Sequence, residues 1–302
     1  MRLVKNSVQR YTQKPGIDGM YEMIRDNAAV CYQTDIEKMK LSPKDFVHQV
    51  LLANGHTRPL EFGTVYLKLP AAYKDMFCDG SPSDTFLTYS KFRYVADWDN
   101  PENSCWYVTT NFRCIMQGGW ETDELAFECK YDSNYLSIME KYWCEPTEYH
   151  YNRYCYGMIA SRGVTDDLRT HITLSSLCES TRFCNYFKGK FGNELTFIQP
   201  YWVSDESVEK YFNGTLEDGV DKSTLDELKN NEGSYLRLAE LGLQPQQLKR
   251  VFPLGGKAEL RLCGFLDSWK NFFWRRCDSH ADPEAIIIAN MIKNNMKEKN
   301  IL

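Results

Sequence analysis

The sequence predicts an α+β fold, and three observations carry that expectation. Segments with the two-residue alternation of strands mix with segments of helical spacing, without the strict strand–helix alternation of a doubly wound parallel sheet. The chain has 302 residues, 43% of them hydrophobic and 14% aromatic, enough to build a core without metals or disulfides. No internal repeat or low-complexity tract is present, which excludes a solenoid and favours one domain over residues 1–302.

Taken in order, residues 2–8 read as a strand and residues 19–32 as a helix, on the spacing of Met20, Met23, Ile24 and Ala28. Ser42 and Pro43 offer an N-cap and a first-turn proline for a helix over residues 44–54, which Gly55 ends. After the loop 56–60, Val65, Leu67 and Leu69 alternate in a strand over residues 63–69. Residues 72–106, rich in Asp, Ser, Pro and aromatics, read as an insertion or mobile loop. A short strand at 107–110 and helices at 111–118 and 123–128 follow. The next strand, 151–161, puts Tyr154, Tyr156 and Met158 on one face, and a helix covers 165–173. Residues 204–234 are acidic and polar and read as a second insertion or mobile loop containing one helix. The last third predicts helices at 234–241 and 245–251, a strand at 257–263, and helices at 266–276 and 282–297.

A formal charge of −5 gives no general attraction for nucleic-acid backbones, so any anion bound must meet a local cluster of arginines. No stretch approaches the roughly eighteen uninterrupted apolar residues of a membrane span. The N-terminal segment lacks the apolar core of a secretion signal. Eleven cysteines, an odd number without CxxC spacing, point to free thiols in a reducing cytoplasm rather than to a metal site or a disulfide framework. No cysteine is paired in sequence with a base that would make it a nucleophile.

Four places concentrate polar and charged side chains. The loop His56-Thr57-Arg58-Pro59-Leu60-Glu61 reads first as a turn with an Arg58–Glu61 ion pair. The tract 169–182 holds His171, Ser175, Ser180 and Arg182; hydroxyls and guanidinium forks there suit a phosphate, and a polar loop with one core histidine is the plainer reading. Arg250 ends a helix. Arg275 and Arg276 close an aromatic helix just before Cys277, Asp278 and His280, and two adjacent guanidiniums repel unless an anion or carboxylate lies between them.

With these blocks in view, the sequence resembles the flavin-dependent thymidylate synthases along nearly its whole length. HTRPLEFGTVYL resembles their His-containing loop. CEPTEYH and SRGVTDDLRTHITLSSLCESTRFCNYFKGKFGNELTFI resemble the signature region with a segment inserted before it, and LKRVFPLGGKAELRLCGFLDSWKNFFWRRCDSHADPE resembles the C-terminal unit. The resemblance implies a central, mostly antiparallel sheet flanked by helices, and FAD-dependent reductive methylation of dUMP to dTMP with methylenetetrahydrofolate and NADPH, in a homotetramer whose sites are shared between chains. It implies dUMP contacts from Ser180, Arg182, Arg250 and Arg276, with Arg276 also polarising the uracil. It implies flavin contacts from His56, Arg58, Glu61, His171, Asn271 and His280, and no enzyme nucleophile.

The signature departs from the family at marked places. Arg-His-Arg reads Thr170-His171-Ile172, and Leu177 and Cys178 stand at the Asn and Glu/Gln positions. Two fixed cations are lost where the family holds its flavin, and Arg169 and Arg58 are the nearest replacements. These departures leave two other readings open: a variant pyrimidine-deoxynucleotide hydroxymethylase, and a flavin-free nucleotide-binding paralogue with a structural or regulatory role.

Overall fold

A computed structural model describes residues 1–74, 89–116, 133–187 and 191–302. The first expected strand is two strands, β1 (Arg2–Val4) and β2 (Ser7–Tyr11), because the chain changes sheets at Lys5-Asn6. Helix α1 (Gly16–Ala28) follows, then α2 (Pro43–Asp45), whose N-cap Ser42 accepts the Asp45 amide as the sequence predicts. α2 runs on as a π-helical segment, Phe46–Leu52.

Strands β3 (Thr64–Pro70), β4 (Lys91–Val95) and β5 (Cys105–Asn111) form an antiparallel sheet in the order β3-β5-β4. Part of the expected loop 72–106 is therefore strand. β4 is an edge strand with Lys91 and Arg93 on one side, so its polar composition hides its pairing with β5. Helices α3 (Phe112–Met116) and α4 (Ser133–Tyr142) come next, and the helix expected at 123–128 lies outside the described residues.

The largest sheet is antiparallel, in the order β2-β6-β9-β7, with β6 (Arg153–Ser161), β7 (Ser175–Cys178) and β9 (Lys257–Phe265). Between β6 and β7 stands α5 (Arg162–Leu168), capped by Ser161, whose hydroxyl accepts the Val164 amide at 3.3 Å. It starts and ends earlier than the sequence predicts, which leaves His171 in a turn. β7 lies inside the tract read as a polar loop. It was hidden because an edge strand of four residues shows no clear alternation.

β8 (Thr196–Ile198) pairs in parallel with β1 in a third, two-stranded sheet. Residues 204–234 carry two helices rather than a loop with one: α6 (Asp205–Phe212) and α7 (Val220–Glu240). The polar residues of α7 lie on its exposed side, while Leu225 and Tyr235 are buried. Asn231-Glu232-Gly233, whose residue types suit a turn, is helical because buried Glu232 accepts the Leu195 amide at 2.9 Å and ties the helix to the β1–β8 layer. Helices α8 (Pro245–Leu248), α9 (Leu266–Arg276) and α10 (Pro283–Glu298) complete the chain.

The expected α+β architecture, antiparallel strands flanked by helices, is present, with the strands divided among three sheets. On one face of the large sheet Tyr156, Met158, Leu260 and Leu262 pack against Trp269, Phe272, Ile288 and Ile292 of α9 and α10. On the other, Cys155, Leu177 and Cys263 meet Met23 of α1 and Phe62. That second face also explains Gly157: Arg261 lies over it and over the Tyr11 ring, 3.7 Å from the centroid, and any Cβ at 157 would collide with the guanidinium. No helix among the described residues is long and apolar enough to cross a membrane.

Candidate active site

The π-helical segment ends in a turn in which Gly55 takes φ +68° and the His56 amide donates to the Leu51 carbonyl at 2.7 Å. This reversal sets His56, Thr57 and Arg58 along one wall of a cleft of about 760 Å³. The end of α1 supplies Ala28 and Ala29, and the signature tract supplies Leu177, Ser180 and Phe183. The lining is mainly apolar and the size is that of a ligand or cofactor pocket.

Arg58, Leu177 and Ser180 also line a second cavity of about 400 Å³ with the opposite character: Arg162, Arg169, Arg182 and Lys249 join Arg58 on its walls. A third cavity, about 380 Å³, shares Arg162, Thr181 and Lys249 with the second and adds Arg250. The carboxylates on these walls are those of Asp166 and Glu179. A chain of formal charge −5 thus concentrates positive charge in one place.

These cations are not equally engaged. Arg162 forks onto Asp166 (3.2 and 3.1 Å) and donates to the Glu179 carbonyl at 3.0 Å. Arg169 pairs with Asp166 at 2.9 Å. Arg182 lies over the Phe183 ring, and among the described residues Arg182, Lys249 and Arg250 have no carboxylate partner. Buried Glu179 accepts from Lys257 Nζ and from Tyr186 Oη, both at 2.7 Å, and from the Glu259 amide at 3.2 Å. Burial, then the neighbouring Glu179 carboxylate, pushes the Tyr186 phenol far up, so it stays a donor. This knot holds the end of β7, and with it Ser180, against β9.

Other residues singled out in the sequence lie elsewhere. Arg276 Nε donates to His171 Nε2 at 2.9 Å, and its Nη2 donates to the Asp167 carbonyl and to Thr170 Oγ1. The His171 ring packs on Phe272, 4.9 Å between centroids. Burial first, then Arg276 and Arg275, push its pKa down to about 4. Ile172 is 78% exposed. Asn271 is exposed on α9, and His280 is exposed and paired with Asp278. Glu61 is buried, ion-paired to Arg113 and, at 3.8 Å, to Arg58, so the expected pair with Arg58 is the longer of two. The structure therefore gathers His56, Arg58, Ser180 and Arg182 around the cleft and its cationic neighbour, sets Arg250 in the adjoining cavity, and holds Arg276 with His171 apart from all three.

Arg162 and Lys249 escaped the sequence reading. The one local signals were Ser161-Arg162 at a strand–helix junction and the Lys249-Arg250 pair at a helix end. None of the nine cysteines among the described residues is joined in a disulfide. Burial pushes the Cys178 thiol up, the wrong direction for a nucleophile. Cys144 lies 3.7 Å from His150 Nε2, but His150 Nδ1 accepts the Thr147 amide, which leaves Nε2 protonated and donating to the Leu67 carbonyl. No base is available there.

Comparison with curated proteins finds no match. The sequence model of one family, described as thymidylate synthase complementing protein, matches residues 149–300, a span that begins just before β6 and takes in β7, the cationic walls apart from Arg58, and both C-terminal helices. That span is just over half of the chain and carries every lining residue of the two cationic cavities except Arg58, while most of the apolar cleft is built by residues before it; the chain therefore belongs to the thymidylate synthase complementing protein family and has a thymidylate synthase-type function in general.

Proposed function

We propose that the chain is a cytoplasmic, flavin-dependent thymidylate synthase that converts dUMP to dTMP, with methylenetetrahydrofolate as carbon donor and NADPH as reductant. The observation that carries this reading is the meeting of Ser180 and Arg182 with Arg58, Arg162, Arg169 and Lys249 in one cationic cavity beside a large apolar cleft. FAD requires an apolar slot for its ring system and cations for its diphosphate. The cleft fits the first need, and Arg58 and Arg169 fit the second in a chain where Thr170 and Ile172 stand at the signature arginine positions. When bound, the flavin supplies hydride.

In this reading Ser180 and Arg182 hold the nucleotide phosphate through charge-assisted hydrogen bonds. His56 and Arg58 orient the cofactor, and Glu61, buried behind Arg58, positions that arginine. Arg276, His171, Asn271 and His280 belong to the cleft of a neighbouring copy in a homotetramer of dihedral symmetry, where Arg276 stabilises negative charge developing on the uracil.

The test is turnover and colour. The purified protein should show the visible spectrum of oxidised flavin and form dTMP from dUMP, methylenetetrahydrofolate and NADPH. A colourless protein that binds dUMP, gains no flavin on addition of FAD and makes no dTMP overturns the reading in favour of a flavin-free paralogue. Arg182→Ala should weaken dUMP by about 2 kcal/mol, roughly thirtyfold in Kd, and leave deoxyuridine nearly unaltered in calorimetry. Equal losses for the two would refute the phosphate assignment.

A further inference from the structure

We infer that Cys155 and Cys263 form a reversible redox pair, a dithiol that a peroxide converts to a disulfide within the chain. The pair lies in the core of the large sheet, so it stands apart from the nucleotide reading. The two cysteines are direct partners across the antiparallel neighbours β6 and β9, and each is 2% exposed. Their side chains share one face of the sheet, packed among Met23, Phe62 and Leu177. Directly opposed residues on antiparallel strands have Cβ atoms about 4.5–5.5 Å apart, and a disulfide needs about 3.8 Å. Closure therefore takes a local approach of about 1 Å and no change of strand register.

Burial alone would make such a pair inert. Both cysteines, however, also line a cavity of about 340 Å³ whose walls include Arg10, Arg153 and the exposed residues Lys14, Glu145 and Lys299. The cavity connects the thiols to the surface and has ample room for water or a peroxide. Cys155 Sγ lies 3.6 Å from Asn27 Oδ1, and Asn27 is fixed by its Nδ2, which donates to the Met23 carbonyl at 2.8 Å. The Cys155 thiol, as a donor, pushes Cys263 down to about 7, against burial and with help from Arg153, whereas burial holds Cys155 itself well up. Cys263 is therefore the thiolate that attacks. Its sulfur takes one peroxide oxygen, the O–O bond breaks, and the hydroxide that leaves takes up the proton Cys263 has lost. The Cys155 sulfur then displaces the hydroxyl from the Cys263 sulfenic acid, and its own proton leaves with that hydroxyl as water. The two thiols are oxidised to one disulfide, and one peroxide is reduced to two waters.

Treatment of the full chain with hydrogen peroxide in the absence of denaturant, followed by alkylation and peptide mass spectrometry, tests this. The expected product is a peptide pair joining Cys155 to Cys263, lighter by two hydrogens and separated again by dithiothreitol. Cys155→Ser should abolish the linked peptides and send Cys263 on to sulfinic acid, which dithiothreitol does not reverse. Cys263→Ser should abolish them and leave Cys155 reduced, because burial keeps that thiol protonated. The result with the natural protein decides the matter if either variant fails to fold. Absence of the linked peptides from the peroxide-treated folded protein overturns the inference. A bond from either cysteine to another, such as Cys31 beside the same cluster, overturns it as well. So does a link that forms only in urea, since it would then be a product of the unfolded chain.

Discussion

Lys257→Met is expected to destabilise the protein by about 3–5 kcal/mol, the usual cost of leaving a buried charge without its partner. Glu179 is 1% exposed, and its carboxylate sits between the Lys257 ammonium, the Tyr186 hydroxyl and the Glu259 amide. Removing the ammonium leaves two neutral donors on a desolvated anion. The double variant Glu179→Gln, Lys257→Met should recover most of the loss, because an amide can still accept from Tyr186 without burying charge. Urea denaturation of the single and double variants measures both. A single variant within about 1 kcal/mol of the natural protein would show that Glu179 does not depend on Lys257. The knot also fixes Ser180, the residue after Glu179, so a recovered double variant should regain dUMP binding along with stability.

Acid should cost the fold about 3 kcal/mol through His171 alone. Its pKa is about 4 in the folded protein and about 6.5 when exposed, so the unfolded chain binds the extra proton first. The contribution is fully present above pH 6.5, declines as pH falls through the window from 6.5 to 4, and levels off below it. His48 and His150 are also held below the ordinary histidine value by burial, so the total acid slope does not isolate one group. His171→Asn does so: the natural protein should lose stability faster than the variant in that window, by up to about 1.4 kcal/mol per pH unit. Parallel curves would sink the assignment. The same protonation sets an imidazolium against Arg276, so it should free the guanidinium that the neutral ring holds.

Elements with a strong local signature were legible in the sequence. Helix α9 ends where its aromatic spacing ends, Ser42 caps the helix that follows it, and Tyr154, Tyr156 and Met158 share one face of β6. Three-block resemblance also singled out Arg58, Ser180, Arg182 and Arg250, because their guanidinium and hydroxyl groups fall on motif positions, and Arg169 as the nearest replacement for a lost signature arginine; all five line the cationic cavities.

What the sequence determined by itself was the α+β class, the family to which the chain belongs, and the residue types available to meet an anion. Only the tertiary structure decided which of those residues face one another. β7 exists because β9 pairs with it, and α7 continues through Asn231-Glu232-Gly233 because Glu232 finds the Leu195 amide on another layer. Arg162 and Lys249 reach the cationic wall from α5 and from the end of α8, far apart in sequence, while Arg276 is drawn to His171 and away from the cleft. Capping and periodicity act over a few residues and leave a mark in sequence. Strand pairing, buried ion pairs and shared cavity walls join residues tens to more than a hundred positions apart, and no local pattern records them.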